Sequence, residues 1–262
     1  MRRALAPVCC ALVAWPAWGQ PAALGVELGV AAGYRQLAEH DSDGDRLLEE
    51  TGTAPSLRIE GWRTLGPGSV FAGLGATRQV LDYDGRSQLG RPIRTRSDYR
   101  GERLWLGYRL ALGPAWHLAL RWERSTLRRS IRPVGPIRGL DENYRGDWLG
   151  LGLRYRPAAA GVDWVEASWL RAIDSEVTVS SEGAIDPVAL PLPRRDALHL
   201  VARIPVLGAG TGAALAVEPA LSWGRTGASD ERPWTRDGIP RGRLHQPRQT
   251  EWQLGAGLVL SW

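Results

Sequence analysis

Residues 252–262 read Trp-Gln-Leu-Gly-Ala-Gly-Leu-Val-Leu-Ser-Trp. Trp252, Leu254, Ala256, Leu258, Leu260 and Trp262 fall on every second position. Successive side chains of a strand point to opposite faces, so this stretch predicts a β-strand with one continuous apolar face. The same template fits Val26 to Tyr34, Leu104 to Leu112, Trp116 to Trp122, Leu149 to Tyr155, Leu198 to Val206 and Leu215 to Trp223. Less regular strands are expected at residues 56–65, 70–81 and 162–179. Together these make ten strands, and the irregular ones leave eight or twelve open.

The connections sort by length. Short turns are expected at residues 66–69, 113–114, 157–161 and 207–212, and long polar stretches at 40–53, 82–98, 128–143, 180–196 and 227–249. Short turns at one end and long loops at the other are the arrangement of an all-β, closed antiparallel transmembrane β-barrel. A soluble β-sandwich also alternates, but it has no reason to segregate its loop lengths. Tyr34, Tyr108, Trp116, Trp122, Tyr155, Trp223, Trp252 and Trp262 sit near the ends of the apolar faces, where interfacial aromatic girdles belong.

The chain opens with Met1-Arg2-Arg3, an apolar run from Ala4 to Trp18 and small residues at Ala17 and Gly19, the pattern of a cleaved secretory signal peptide over residues 1–19. Residues 20–262 are then the barrel, exported to the outer membrane of a Gram-negative envelope. Cys9 and Cys10 both lie in the leader, so disulfides and thiolate metal sites are not expected beyond it. All 33 basic residues are Arg, and removing Arg2 and Arg3 lowers the formal charge from +5 to +3. Arg is interspersed with Glu and Asp, which is not the basic stripe of a nucleic-acid-binding protein. Mean hydropathy is slightly negative. That excludes a helical membrane protein and suits a barrel, where only alternate residues meet lipid.

The C-terminal strand resembles the assembly signal of bacterial outer-membrane barrels, carried here by Leu258, Leu260 and the terminal Trp262, where that family usually ends in Phe. The resemblance implies barrel-assembly machinery as a partner. If the apolar positions face lipid, their alternates face a lumen. Those alternates include Glu27, Glu60, Glu123, Glu166, Glu218 and Glu251, with Arg58, Arg103, Arg109, Arg121, Arg154 and Arg203. Six charges of each sign inside a barrel are expected to pair, because an unpartnered buried charge is costly. Gly73, Gly75, Gly107, Gly150, Gly152, Gly255 and Gly257 share that face and are expected to make room for the long side chains. The reading is a filled or narrow lumen, unlike the wide channel of a general porin.

Three motifs bear on chemistry. Asp41, Asp43 and Asp45 surround Gly44 as in part of a calcium loop, but the Gly falls early and the twelfth position is Gly52, so a solvated turn is expected. The ten-strand layout with Asp82-Tyr83-Asp84 after the third strand resembles the omptins, outer-membrane proteases in which an Asp-x-Asp pair faces an Asp-x-His pair across the barrel mouth. The corresponding region here reads Asp174-Ser175-Glu176 and holds no His, so the imidazole that would activate water is missing. The resemblance implies architecture, with Asp82, Asp84, Asp174 and Glu176 the only candidates for such chemistry. His117 and His199 are expected in the lumen near the periplasmic end. No cofactor is expected.

Arg86, Arg91, Arg94 and Arg96, then Arg128, Arg129, Arg132 and Arg138, then Arg232, Arg236, Arg241, Arg243 and Arg248 make three expected loops Arg-rich. Guanidinium groups grip phosphate bidentately, and at this height the phosphates are those of outer-membrane lipid and lipopolysaccharide. The leading expectation is a non-enzymatic structural or surface-interaction protein. The alternatives are a narrow small-solute channel and an omptin-like protease.

Overall fold

A computed structural model describes residues 23–86, 91–158, 161–208 and 212–262; the expected leader lies outside the described residues. Fourteen strands are formed: β1 (Leu24–His40), β2 (Arg46–Thr53), β3 (Ser56–Leu65), β4 (Gly68–Arg86), β5 (Pro92–Ala111), β6 (Trp116–Ile131), β7 (Leu140–Tyr155), β8 (Trp164–Ser181), β9 (Ile185–Pro191), β10 (Arg195–Leu207), β11 (Ala214–Thr226), β12 (Arg232–Arg236), β13 (Ile239–Leu244) and β14 (Arg248–Ser261). They build a closed antiparallel barrel of ten staves. β2 and β3 run end to end in one stave, both pairing with β1 and β4. β9 continues the stave of β10 along β8.

The stretch at 252–262 closes the structure. β14 pairs with β11 on one side and β1 on the other, and Trp262 exchanges backbone hydrogen bonds of 2.9 and 3.1 Å with Val26. Closure pairs every stave of the lower wall on both sides, the condition for β-structure in hydrocarbon, while β9 in the upper wall pairs with β8 alone.

The wall has two zones along its length. In the lower zone, next to the short turns, apolar side chains point outward: Leu74 is 56 % exposed and Leu120 60 %. Aromatic residues bound this band. Trp116 packs on Tyr155 at 4.6 Å between ring centres at the lower edge, and Trp223 lies 6.3 Å from Trp252 at the upper. In the upper zone the pattern inverts. Leu37, Leu48, Leu81, Tyr83, Val177 and Val179 point inward and are buried, while the outer wall carries Arg78, Asp82, Asp84, Arg94, Arg96, Arg100, Arg124 and Arg128. A membrane-spanning band with a water-exposed extension above it has this pattern: the apolar face follows lipid below and the interior above. On β8 a bulge at Ile173 makes the change of face, because Trp148 opposes Ala172 while Asp147 opposes Asp174.

The upper zone corrects the expectation of long loops. Residues 40–53 include all of β2, 180–196 include β9, and 82–98 are mostly the ends of β4 and β5. Residues 128–143 extend β6 and β7, and 227–249 contain the hairpin β12–β13. These segments look polar because their outer face meets water, while their apolar residues fill the interior.

Three of the inward glycines, Gly73, Gly75 and Gly107, seat aromatic rings, while Gly255 and Gly257 lie against the backbone of β1. A Cβ at Gly73 would overlap the indole of Trp105, and one at Gly107 would overlap the ring of Phe71.

Candidate functional site: the two levels of the lumen

The lower lumen is crossed by ion pairs. Glu27 on β1 lies 2.7 Å from Arg203 on β10 and 3.4 Å from Arg58 on β3. Both guanidiniums also reach Glu218 on β11, so two carboxylates and two guanidiniums form a closed ring. Beside it, Trp105 Nε1 donates to Glu60 at 2.8 Å and Arg109 sits 3.9 Å from the same carboxylate. Arg154 donates to Glu166 at 2.8 Å and lies 3.8 Å over the ring of Trp164. Arg121 donates to Glu123. Glu251 accepts two hydrogen bonds of 2.9 Å from Arg35. The twelve expected lumen charges thus all lie inside, and eleven of them have an oppositely charged partner. Arg103 is the exception.

The upper lumen holds a buried charge network. Arg129 on β6 is 1 % exposed and is surrounded by three carboxylates. Its Nη1 donates to Glu39 at 2.7 Å and to Glu142 at 2.8 Å, and its Nη2 donates to Glu50 at 2.8 Å. Ser97 and Tyr99 on β5 also donate to Glu50. Tyr144 donates to Glu142 at 2.7 Å, and Gln249 on β14 donates to Glu39 at 3.0 Å. One guanidinium therefore joins β1, β2, β6 and β7. Two apolar clusters pack around it, Leu37, Leu48 and Tyr83 on one side and Tyr144, Val177, Val179, Leu190 and Leu192 on the other. Arg195 has no carboxylate partner but stacks 4.7 Å from the ring of Trp148.

Arg129 was expected in an outer loop and lies instead in the core of the plug. Glu39, Glu50 and Glu142 were not singled out, because they lie in segments that read as loops. A signal for them exists in Leu37-x-Glu39 and Leu48-x-Glu50, which alternate like inward-facing strand residues.

Burial raises the carboxyl of Glu39 above its ordinary range; desolvation outweighs the pull of Arg129, and Glu142 and Glu50 add repulsion. The folded protein then holds a proton there that the unfolded chain releases. Stability from this group rises as pH falls through the folded pKa and is complete below the unfolded value of about 4.3. The expected result is that Glu39→Gln flattens the dependence of the thermal midpoint on pH above the unfolded value of about 4.3. An unchanged dependence would count against this origin.

The other candidates are dispersed. Asp82 and Asp84 point out of the barrel, where Arg96 and Arg94 donate to them at 3.3 and 3.2 Å. Asp174 and Glu176 are also on the outer wall, separated from them by β5, β6 and β7. The two pairs do not face one another across a mouth. The cause is parity: in β4 the odd residues point inward, and the β8 bulge turns the even ones outward. Asp41 Oδ1 accepts from the backbone N–H of Asp43 and Asp45 at 3.0 and 2.8 Å, a self-capped turn. Among the described residues no group of three His, Cys, Asp or Glu is placed to hold a metal ion. His117 lines the lower mouth as expected, whereas His199 sits higher, between the middle and upper lumen spaces.

The fold has counterparts among solved structures. The outer membrane protease OmpT from Escherichia coli superimposes with a TM-score of 0.54 over 91 % of this chain and 96 % of that one, at 12 % identity. The translocator domain of the autotransporter NalP from Neisseria meningitidis gives 0.46 over 89 % and 88 %, at 12 % identity. The toluene transporter TodX of P. putida gives 0.36 over 92 % and 90 %, at 13 % identity. At such identities the likeness to OmpT establishes the fold alone. No family model and no curated protein matches the sequence.

Proposed function

We propose that this ten-stranded barrel is a non-enzymatic protein of the outer membrane, sealed against solute flow, whose outer wall engages the phosphates of the outer leaflet. The observation that carries the reading is the plug on Arg129. Three carboxylates, a buried guanidinium and two apolar clusters occupy much of the upper lumen, which supports a barrel closed to solute flow. The apolar band between aromatic girdles supports the membrane location. The export route belongs to the same proposal: residues 1–19 are removed as a leader, and Leu258, Leu260 and Trp262 address the assembly machinery.

The wall above the band supports a surface role. Arg78 opposes Arg100 across β4 and β5, and Arg100 opposes Arg128 across β5 and β6. All three are exposed, and like charges directly opposite one another are destabilising unless an anion shares them. Guanidinium forks suit phosphate oxygens, and the row stands just above the band, where lipid headgroups lie.

The test is electrical. Purified protein in a planar bilayer is expected to give no steps above background, and a sustained open conductance overturns the reading. The hydrolase alternative has its own check. Cells carrying the protein are expected to cleave a basic peptide library no faster than cells carrying Asp82→Asn/Asp84→Asn. Faster cleavage that depends on this pair would restore an enzyme.

A further inference from the structure

Between the lower ion pairs and the Arg129 plug lies a cavity of about 270 Å³, equivalent to roughly nine waters of liquid. Arg103 on β5 lines it, with its side chain open to the space the cavity encloses. Each of the other lumen guanidiniums has a carboxylate in contact, except Arg195, which has aromatic rings. Arg103 has neither: among the described residues it makes no hydrogen bond and no ion pair. Its side chain borders the open volume. A guanidinium that faces the cavity with no carboxylate in hydrogen-bonding contact has its N–H donors available to an anion entering the space beside it, which it can grip through two parallel hydrogen bonds.

The lining suits such an occupant. Arg121 and His199 face the same cavity, and Ser168 and Ser222, which flank His199 on the neighbouring strands, add hydroxyl donors. Trp105 supplies an apolar surface alongside. Below, a second space of about 400 Å³ opens among the short turns, and Glu27, Glu60, Arg109, Arg154 and Trp164 line both volumes. The Arg109–Glu60 pair, at 3.9 Å, is the loosest ion pair in this layer. Above stands the Arg129 network.

We propose that the middle cavity is a binding site for a small solute bearing an oxyanion group, a carboxylate or a phosphate, which is gripped by Arg103 and enters from the short-turn end, the periplasmic side of the membrane. A guanidinium takes either group through two parallel hydrogen bonds, and the volume limits the solute to roughly ten non-hydrogen atoms. The site goes beyond the sealed-barrel reading, because a barrel closed at its outer end can still take a ligand from its inner one.

The experiment is isothermal titration of the intact barrel in detergent with benzoate, with inorganic phosphate and with neutral benzyl alcohol. Saturable binding of benzoate or phosphate at millimolar concentration or below, without binding of benzyl alcohol, is expected, and whichever anion binds more tightly identifies the oxyanion. Arg103→Gln should weaken binding about tenfold or more. All titrations use an Arg78→Gln/Arg100→Gln/Arg128→Gln background, so that phosphate held by the outer row does not contribute. The thermal midpoint of Arg103→Gln without anion should be no lower than that of its parent chain, since no carboxylate loses a hydrogen-bonded partner. Absence of binding by both anions, equal binding by the Arg103 variant, or a lowered midpoint each overturns the site. Bilayer conductance reads the seal and titration reads the site, so the two proposals fail separately.

Discussion

Arg129→Met is expected to remove about 3–5 kcal/mol from the stability of the barrel, the largest effect of any single substitution considered for it. Methionine approximates the length of the arginine stem, so the cost is not chiefly a cavity. It arises because Glu39, Glu50 and Glu142 lose the one cation they share and remain buried. Two escapes are open to the variant: the carboxylates take up protons, or the upper strands separate and admit water. Both are measurable. Urea unfolding in detergent should show a lower midpoint at neutral pH, with the deficit shrinking in acid as protonation replaces the lost cation. Amide exchange should quicken in β2 and the upper parts of β1, β6 and β7, while the membrane band stays protected. An unfolding midpoint equal to that of the native chain would mean that Arg129 does not hold the plug.

The second large effect is expected at the lipid face. Along β6 the outward residues are Trp116, Leu118, Leu120 and Trp122, followed by Arg124, Thr126 and Arg128. Leu120→Arg places a charge in the middle of the apolar band and should cost about 2–4 kcal/mol. Thr126→Arg, on the same face of the same strand six residues on, should change stability by less than about 0.5 kcal/mol, because its side chain is in water. Refolding into lipid vesicles from urea measures both. Equal penalties would place the two residues in one environment and abolish the division of the wall into zones.

That division explains what could be read from the sequence. The lower half was legible, since lipid demands an apolar outer face and leaves a period of two over four to six outward positions per stave. The upper half was hidden by the change of face. In β4, Val70, Ala72, Leu74 and Ala76 point outward on even positions, whereas Leu81 and Tyr83 point inward on odd ones. A single template drawn through both loses its periodicity near Arg78 and reads the remainder as a loop. In β8 the Ile173 bulge changes the face without breaking the odd-position period, so the strand was legible to residue 179 but its change of face was visible only in the cross-strand register. The lumen charges at membrane height were found because parity placed them there. The plug was missed for the same reason: its glutamates lie beyond the change of face, and Arg129 was grouped with outer-loop arginines by its neighbours in sequence.

The account holds that the barrel stands half in the membrane and half in water, with its closure in the upper half. Labelling of single cysteines in intact cells tests this most directly, because the only cysteines of the chain, Cys9 and Cys10, fall in the expected leader. Thr126→Cys should react with a membrane-impermeant maleimide added outside. Leu120→Cys should not react, and a fluorophore placed there should be quenched by brominated lipid. Reaction of both positions, or quenching of a fluorophore at position 126 by the lipid, would contradict the two-zone barrel.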